Sequence, residues 1–357
     1  MTQRQRAPGG GYTDDLYREA LARGWHLLDP EIPRALPESG AAASPGFLLE
    51  GCLDEPVVLT RDAGGAEHLL SNACTHRGAL VASGAGACKK LRCPYHGRRF
   101  SLGGAFEAAP GFGEDPAVGS PQDDLPAVPS GRLGPLRFAS VQPACTLDAL
   151  LGPVLERVGF LPLDRLLEVP ELHRDYAVRA HWALYCDNYL EGLHIPFVHP
   201  ALNQSLELGA YQTEVLPWGA LQVGVAGEGT PAMTPPAGHP DHGKRVAAWY
   251  FWLFPTTMIN VYPWGISANA VQPLGPRHTR VRFSTWTWEA PDSPALADLG
   301  KHVGGIHTTE MEDERVVELV QRGVSSRLYR GGRYAPGWED GLRHFHTLLE
   351  RVGGLSG

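Results

Sequence analysis

The sequence predicts an α+β protein made of a small all-β domain followed by a larger domain of antiparallel strands and helices. Short β-like runs alternate with Gly-rich turns from about residue 45 to residue 145. Helical patterns appear at 147–159 and 182–194 and return from 296 onward. Between them, residues 205–289 are dense in aromatic and β-branched residues, as half-buried antiparallel strands are. Helices and an antiparallel sheet within one domain indicate the α+β class.

These changes in texture divide the chain into three segments. Residues 1–40 contain a short predicted helix at 13–27, with an acidic first turn, and lead into the first domain. Residues 41–145 form the small all-β domain, and residues 146–357 form the larger domain. We expect the N-terminal helix to pack with the larger domain.

The composition is that of a folded protein with room for a sizeable core. The chain has 357 residues, of which 43% are hydrophobic, and its net charge of −8 argues against nucleic-acid or anionic-membrane partners. The N-terminus lacks an apolar run, and the most apolar stretch, Val246–Gly265, is interrupted by Pro255, Asn260 and Pro263. Six cysteines in a chain of this length indicate reduced thiols in the cytoplasm, some of them metal ligands.

The clearest chemical signal is a pair of Cys/His motifs in the all-β segment. Cys74-Thr-His76 comes first, Cys93-Pro-Tyr-His96 follows, and residues 77–92 separate them. Tetrahedral zinc would accept two cysteines and two histidines, but a zinc finger pairs like ligands, whereas each loop here mixes them. The mixed order suits a [2Fe–2S] cluster in which two cysteines hold one iron and two histidines hold the other.

A second group of metal-ligand residue types lies within residues 182–200. At about 100° per residue, Asp187, Glu191 and His194 fall within one narrow arc of the predicted helix, and His199 follows shortly after it. A carboxylate–His–His set with open positions suits ferrous iron used for oxygen chemistry. A polar helix face followed by a loop histidine explains the same spacing without a metal.

Together the two segments closely resemble the Rieske-type non-haem iron oxygenases, the terminal oxygenase components of the aromatic ring-hydroxylating dioxygenase alpha-subunit family. The motifs that carry the resemblance are Cys74-Thr-His76-Arg-Gly, Cys93-Pro-Tyr-His96-Gly and Asn188-Tyr-Leu-Glu191-Gly-Leu-His194-Ile-Pro-Phe-Val-His199-Pro. The likeness extends from Tyr12 to about Leu349. It implies a Rieske [2Fe–2S] domain joined to a helix-grip catalytic domain that binds mononuclear Fe(II) and O₂.

The resemblance also implies roles for individual residues. His194 and His199 correspond to iron ligands. Glu191 corresponds to a carboxylate that does not bind iron but bridges to the Rieske histidine of a neighbouring subunit. Asp187 and Asn188, beside this segment, are further candidate catalytic residues.

The third iron ligand is expected to be a carboxylate far downstream. The predicted helix 310–324 offers Glu310, Glu312, Asp313 and Glu314. Its apolar stripe comprises Val316, Val317, Leu319, Val320 and Val324. Asp313 lies within about 30° of the centre of that stripe, where a buried carboxylate needs a cation or strong donors. The family pattern also points to Asp313. The alternative is an aspartate that caps the start of the helix.

Aromatic residues are frequent in the strand-rich block, and some of them could line a substrate pocket. They are Trp249, Tyr250, Phe251, Trp252, Tyr262, Trp264, Trp286 and Trp288. Most should be ordinary sheet core. Those that line a pocket would suit arenes by stacking and quaternary ammonium groups by cation–π attraction equally well.

The implied function is that of a terminal oxygenase that uses O₂ and electrons from another protein to hydroxylate an aromatic or other small organic substrate. The chain has no G-x-G-x-x-G fingerprint and no plant-type ferredoxin cysteine run, so a separate NAD(P)H-dependent reductase, with or without a ferredoxin, is expected. The family arrangement is a ring, usually a homotrimer.

Alternatives to this reading stay open within and outside the oxygenase class. Monooxygenation or N-demethylation of a quaternary ammonium compound competes with ring dihydroxylation. A Rieske electron carrier with a non-catalytic ligand-binding domain, and a zinc-bound structural protein, are the alternatives from other classes.

Overall fold

The computed structural model describes residues 14–112 and 118–354. Of the described residues, those in Met1–Trp25, Leu133–Pro135 and Pro143–Gly357 form one unit, and those in His26–Arg132 and Leu136–Gln142 form the other. We call these the larger and the smaller unit. The first described element, α1 (Asp14–Arg23), belongs to the larger unit. The predicted domain boundaries after residues 40 and 145 stay predictions.

The smaller unit is built of short strands that surround two apolar cores. Its elements are β1 (His26–Leu27), α2 (Glu31–Arg34), β2 (Ala42–Leu48), β3 (Glu55–Arg61), β4 (Glu67–Ser71), β5 (Gly86–Ala87), β6 (Leu91–Arg92), β7 (Arg99–Phe100), β8 (Phe106–Ala108), β9 (Ser130–Leu133) and β10 (Leu136–Ala139). They form sheets with the orders β4-β3-β2-β5, β6-β7-β8 and β1-β10-β9. One core gathers Leu70 and Phe100 with Cys74 and Cys93, so the sheets place both thiols in an apolar setting.

The larger unit contains an eight-stranded antiparallel sheet. Seven strands follow the order β11-β18-β17-β16-β15-β14-β13, and the eighth, β12, pairs with β18. Its strands are β11 (Leu167–Glu168), β12 (Arg174–Val178), β13 (Gln212–Leu216), β14 (Gly219–Val225), β15 (Val246–Leu253), β16 (Thr257–Tyr262), β17 (Gly265–Gly275) and β18 (His278–Thr287). Every residue of β14 is buried, and β15 is nearly so. This burial explains why the strand-rich block carries long apolar and aromatic runs.

Helices of the larger unit pack around the sheet and carry the candidate site. They are α3 (Leu147–Val158), α4 (Trp182–Tyr189), α5 (Ile195–Val198), α6 (Pro200–Ser205), α7 (Leu299–Val324) and α8 (Asp340–Val352). Helix α4 contacts α7, α8 and β17, which places the segment after it beside the middle of α7. Within the described residues, no helix is both long enough and apolar enough to cross a membrane.

Two of the predicted helices have the wrong limits. The helix expected over 182–194 ends at Tyr189, so the arc drawn through Asp187, Glu191 and His194 is wrong. The Glu191 carboxylate accepts hydrogen bonds from the backbone N–H groups of Leu193 and His194, and these bonds compete with helical ones. Gly192 further disfavours a helix at this point.

The helix predicted to begin at residue 310 begins at Leu299 instead. Asp313 therefore lies in mid-helix and does not cap a helix start. The predicted apolar stripe is also wrong in part, because Leu319 is 62% exposed whereas Glu310 is 3% exposed. The start at Leu299 agrees with the helical pattern that returns from residue 296 onward, although the first turns of α7 contain three glycines, Gly300, Gly304 and Gly305.

Candidate active site with two metal centres

Two loops of the smaller unit present the Cys/His pairs with the same backbone geometry. The N–H of Gly78 donates to the carbonyl of Cys74 at 2.8 Å, and the N–H of Gly97 donates to the carbonyl of Cys93 at 3.0 Å. Both glycines adopt left-handed conformations, with φ of +70° and +72°. Glycine is the residue that takes this conformation without strain, which explains its place after each histidine.

The four predicted ligands of these loops converge in pairs. The Cys74 and Cys93 thiols are buried and lie within hydrogen-bond reach of each other. The rings of His76 and His96 lie 4.8 Å apart between centroids. Burial and the neighbouring Cys93 raise the pKa of the Cys74 thiol, so a metal is needed to hold it as a thiolate. Paired thiols and paired imidazoles fit the two irons of a [2Fe–2S] cluster.

Polar contacts behind the first loop hold it in place. The Arg98 guanidinium, only 4% exposed, donates to Thr75 Oγ1 at 2.9 Å and to Asp123 Oδ1 at 2.8 Å. Thr75 Oγ1 in turn donates to the Asp123 carbonyl at 2.7 Å. The segment around Asp123 is thereby fixed to the loop between Cys74 and His76.

In the larger unit, His194, His199 and Asp313 form a candidate metal site. One donor atom from each residue lies within 4.8 Å of the other two. Asp313 Oδ1 is 3.0 Å from His199 Nε2 and 3.5 Å from His194 Nε2. Two imidazoles and one carboxylate are the donor set of non-haem ferrous sites.

The local sequence explains how these histidines reach the site. His194 is the N-cap of the short helix α5, and His199 lies between α5 and α6 with φ −119° and ψ 77°. Pro196 and Pro200 stand in the first turn of α5 and α6, where a missing N–H costs nothing. The two prolines thus set two turns that present both rings toward the middle of α7.

Each histidine is oriented by a carboxylate on its other nitrogen. His194 Nδ1 lies 2.6 Å from Glu191 Oε1, and His199 Nδ1 lies 2.8 Å from Glu312 Oε2. Such contacts fix the tautomer and leave Nε2 for a metal. Burial lowers the pKa of His199, but Asp313 and Glu312 outweigh it and raise that pKa. The sequence offers Glu312 as one of four candidate third ligands, and its contact with His199 Nδ1 is a finding of the structure.

Asp187 and Asn188, the two further candidate catalytic residues, make different contacts. Asn188 lines the cavity, and its Nδ2 donates to Asp313 Oδ1 at 2.6 Å. Asp187 is not among the lining residues. Its Oδ1 accepts from His346 Nε2 at 2.9 Å, and His346 Nδ1 lies 2.6 Å from the Tyr334 hydroxyl. The end of α4 at Tyr189 turns Asp187 toward α8, so the expectation that it shares an arc with Glu191 and His194 is wrong.

A cavity of about 110 Å³ adjoins the candidate metal site. Its aromatic lining residues are Tyr185, Tyr189, Tyr211, Tyr250, Tyr262 and Phe283. Only Tyr250 and Tyr262 of these belong to the aromatic residues singled out in the sequence. The other four are brought to the cavity by α4, by the loop before β13 and by β18, which no local pattern predicted.

Glu310 is the most deeply buried acid of the cavity wall. It is 3% exposed, and its Oε2 accepts a hydrogen bond from the Tyr185 hydroxyl at 2.7 Å. Burial raises the pKa of the Glu310 carboxyl well above its usual range, and the nearby Asp313 carboxylate adds to this. Helix α7 contacts α4, which places Glu310 beside Tyr185.

Each of two loops carries one cysteine and one histidine, and a second site of two histidines and one carboxylate lies beside a cavity. These two sites together define a Rieske non-haem iron oxygenase. Family profiles agree with both parts: the Rieske [2Fe-2S] domain matches residues 46–128, and the ring hydroxylating alpha subunit (catalytic domain) matches residues 163–353. The chain belongs to the ring hydroxylating alpha subunit family.

Individual proteins are similar over most of their length. Choline monooxygenase, chloroplastic, of Arabidopsis thaliana is 30% identical, with 83% of this chain and 71% of the relative covered. Putrescine 2-hydroxylase of Ralstonia nicotianae is 28% identical, with 83% and 81% covered. The solved structure of the quaternary ammonium Rieske monooxygenase CntA superposes with a TM-score of 0.72 at 22% identity, over 95% of this chain and 91% of that one.

These findings confirm several expectations from the sequence. The α+β class, with a Rieske unit and an antiparallel sheet flanked by helices, is confirmed. The protein is an oxidoreductase, the terminal oxygenase of a Rieske system, with a [2Fe–2S] cluster, a mononuclear iron and O₂ as co-substrate. Rieske oxygenases receive their electrons from a separate protein and form multimers.

Proposed function

We propose that this oxygenase inserts one oxygen atom from O₂ into a small organic cation. The observation that carries the proposal is the cavity lining. Tyrosine rings and the acidic side chains of Glu191, Glu310 and Asp313 line it, whereas no lysine or arginine is among the lining residues. The overall reaction would be R–H + O₂ + 2 e⁻ + 2 H⁺ giving R–OH and H₂O.

Electrostatics favour a cation over a neutral arene in this cavity. A positive charge over a desolvated aromatic face gains about 2 kcal/mol. Tyrosine faces and acidic side chains both attract a cation, and the candidate metal would compensate only the acids that touch it. Because no lysine or arginine is among the described lining residues to pair with a carboxylate, a substrate that bears a carboxylate is disfavoured.

The named relatives point the same way. Choline monooxygenase, putrescine 2-hydroxylase and the quaternary ammonium monooxygenase CntA are each named for a positively charged small molecule or for its chemical class. We therefore favour monooxygenation of an ammonium compound over ring dihydroxylation.

The residues would divide the work as follows. Cys74, Cys93, His76 and His96 would hold the cluster, and His194, His199 and Asp313 would hold the mononuclear iron. When bound, the cluster stores and passes single electrons, and the iron binds O₂ beside the substrate. Asn188 would hold Asp313 through its 2.6 Å hydrogen bond, and Glu191 and Glu312 would orient the histidines.

The same proposal includes the assembly and its setting. We infer a homotrimer in which Glu191 meets the Rieske histidine of the next subunit, and a separate NAD(P)H-dependent reductase, with or without a ferredoxin. A head-to-tail contact repeated around a ring would join each cluster to a neighbouring iron. No disulfide joins any of the cysteines in the described residues, which fits a reducing compartment such as the cytoplasm.

A substrate panel with a surrogate reductase tests the proposal. Choline and 1,4-diaminobutane represent cations, carnitine represents a cation that carries a carboxylate, and naphthalene represents neutral arenes. We expect substrate-dependent O₂ uptake with at least one of the first two compounds and little with the others. Coupled uptake with naphthalene alone would contradict the proposal and favour ring hydroxylation.

A further inference from the structure

The cavity contains two buried side-chain oxygen atoms that make no hydrogen bond to any described residue. One is Glu310 Oε1 and the other is Gln222 Oε1. Both side chains line the cavity, and they are 3% and 2% exposed. A buried acceptor without a donor costs about 1–3 kcal/mol, so such atoms are expected to meet a ligand or an ordered water.

The hydrogen bonds that Glu310 and Gln222 do make show which atom of each side chain lacks a partner among the described residues. Glu310 Oε2 already accepts from the Tyr185 hydroxyl at 2.7 Å. Gln222 Nε2 donates to the Tyr189 carbonyl at 2.6 Å, which assigns the unpaired atom of that amide as its oxygen. The unpaired Gln222 oxygen is therefore an acceptor. Glu310 Oε1 is an acceptor in the ionised form of the carboxyl group, and a cation bound beside it would favour that form.

We propose that Glu310 and Gln222 select a substrate that donates hydrogen bonds, with Glu310 receiving an N–H-bearing ammonium group. This inference rests on the proposed function and narrows it from organic cations in general to primary or secondary ammonium compounds. A quaternary ammonium group offers no N–H and would leave Glu310 Oε1 unpaired. A primary ammonium group satisfies the acceptor and the charge together, and charge-assisted hydrogen bonds are the stronger kind.

Glu310 belongs to the substrate side of the site, because it is not one of the three converging donors. His194, His199 and Asp313 are the grouped metal-ligand atoms among the described residues, and Glu310 is not in that group. Its position on α7, one turn before Asp313, puts it within the same cavity as the candidate iron site. A substrate held by Glu310 would thus lie beside the reacting centre.

A matched control for Glu310 exists on the same helix. Glu314 Oε1 is also buried and unpartnered among the described residues, but Glu314 does not line the cavity. A Glu314→Gln variant therefore removes a similar charge from the same helix without touching the cavity wall.

The test is the affinity of the anaerobic holoprotein for 1,4-diaminobutane and for its fully N-methylated analogue, measured by isothermal titration calorimetry. We expect Glu310→Gln to weaken diaminobutane binding by at least about 30-fold while the affinity for the methylated analogue changes little. Gln222→Met should weaken diaminobutane by up to about tenfold, since a neutral hydrogen bond is lost. Glu314→Gln should change neither affinity.

The outcomes separate this inference from the proposed function. If wild type binds neither cation, the proposed function is contradicted. If both bind but Glu310→Gln weakens neither, or Glu314→Gln behaves like Glu310→Gln, only the present inference is overturned, and water is left as the partner of Glu310. Glu310→Asp, which keeps the charge with a shorter reach, should retain part of the preference for diaminobutane. If Glu310→Gln does not yield folded protein with an intact cluster spectrum, the affinities of Glu310→Asp for diaminobutane and for its methylated analogue test the inference instead.

Discussion

At the scale of single residues, the two metal centres differ in how far apart their residues lie in the chain. The pairs Cys74/His76 and Cys93/His96 lie close together in sequence, so the order of the donors alone indicated a Rieske cluster. The partner of His199 on α7, Glu312, is 113 positions away. No local pattern contains a contact of that separation, so Glu312 and the burial of Glu310 emerged only with the fold.

Asp313 is the residue on which the mononuclear iron assignment depends. Asp313→Ala should remove most of that iron, because the carboxylate that converges with two imidazoles is lost. Glu314→Gln on the next position should leave it in place. Iron per chain, together with the visible spectrum of the cluster, measures both effects. Retention of full iron content in Asp313→Ala would show that another acid serves as the ligand.

Glu312 offers a test of the support behind the site. Glu312→Gln replaces the carboxylate that lies 2.8 Å from His199 Nδ1. Loss of such a partner typically costs about 10–100-fold in metal affinity. The release of mononuclear iron to a chelator, followed over time, should be faster by that order than in wild type. An unchanged release rate would mean that packing alone orients His199.

At the scale of elements, the type of each segment was predictable but its ends were not. The strand-rich block and α3 came out where periodicity indicated, because burial on a sheet and the Thr146 cap are local signals. The end of α4 depends on a side chain, Glu191, that takes the backbone donors of the next turn. Helix α7 begins at Leu299, near residue 296 where the helical patterns return, but the assignment of residues 310–324 as a separate helix overlooked the first turns, which contain three glycines.

A buried ion-pair cluster links α3 to the strands. Arg157 Nη1 lies 2.7 Å from Asp241 Oδ2, which also accepts from Trp249 Nε1 at 2.8 Å. Asp241→Asn should lower the free energy of unfolding by about 3–5 kcal/mol, since Arg157 loses a buried partner. Asp175→Asn, in a pair whose aspartate is 44% exposed, should cost less than about 1 kcal/mol. Urea denaturation of both variants measures the difference.

The same cluster fixes the sign of a pH effect. Burial raises the pKa of Asp241, but hydrogen bonds from Lys244, Trp249 and Arg157 outweigh it and lower that pKa below its ordinary 3.8. A carboxyl group whose pKa is depressed in the folded state stabilises the fold at pH values above its ordinary pKa. That stabilisation is lost as the pH falls through the folded-state pKa. The advantage of wild type over Asp241→Asn should therefore be complete at neutral pH and shrink below about pH 4. An advantage that grows on acidification would contradict this account.

At the scale of the whole molecule, the sequence predicted two metal-binding parts and the family, while the substrate depends on the cavity. Four of the six aromatic residues that line it come from elements that no sequence pattern assigned to a pocket. Side-chain packing between α4, α7 and the sheet determines which residues line the cavity. Those lining residues are the basis for proposing a cationic substrate.

The proposed ring of subunits makes Glu191 a residue that acts beyond its own chain. Glu191→Ala, reconstituted with Fe(II) to wild-type content, should slow oxidation of the pre-reduced cluster by at least about tenfold in the presence of substrate and O₂. Glu191→Asp should retain part of the rate, because the charge remains while the reach shortens. Stopped-flow absorbance of the cluster follows the reaction. A wild-type rate in Glu191→Ala would exclude the bridge, as would full turnover by a monomer.

The central claim is that both metal centres serve the oxygenation of a small organic cation in the tyrosine-lined cavity. A single-turnover reaction tests it most directly: the fully reduced protein is mixed with ¹⁸O₂ and 1,4-diaminobutane or choline, without reductase, and the product is analysed by mass spectrometry. The account predicts a hydroxylated or demethylated product that depends on both metals, with one ¹⁸O atom in each hydroxyl group formed. Oxidation of the cluster without an oxygenated product from either cation, together with an ¹⁸O-labelled diol from naphthalene, would contradict it.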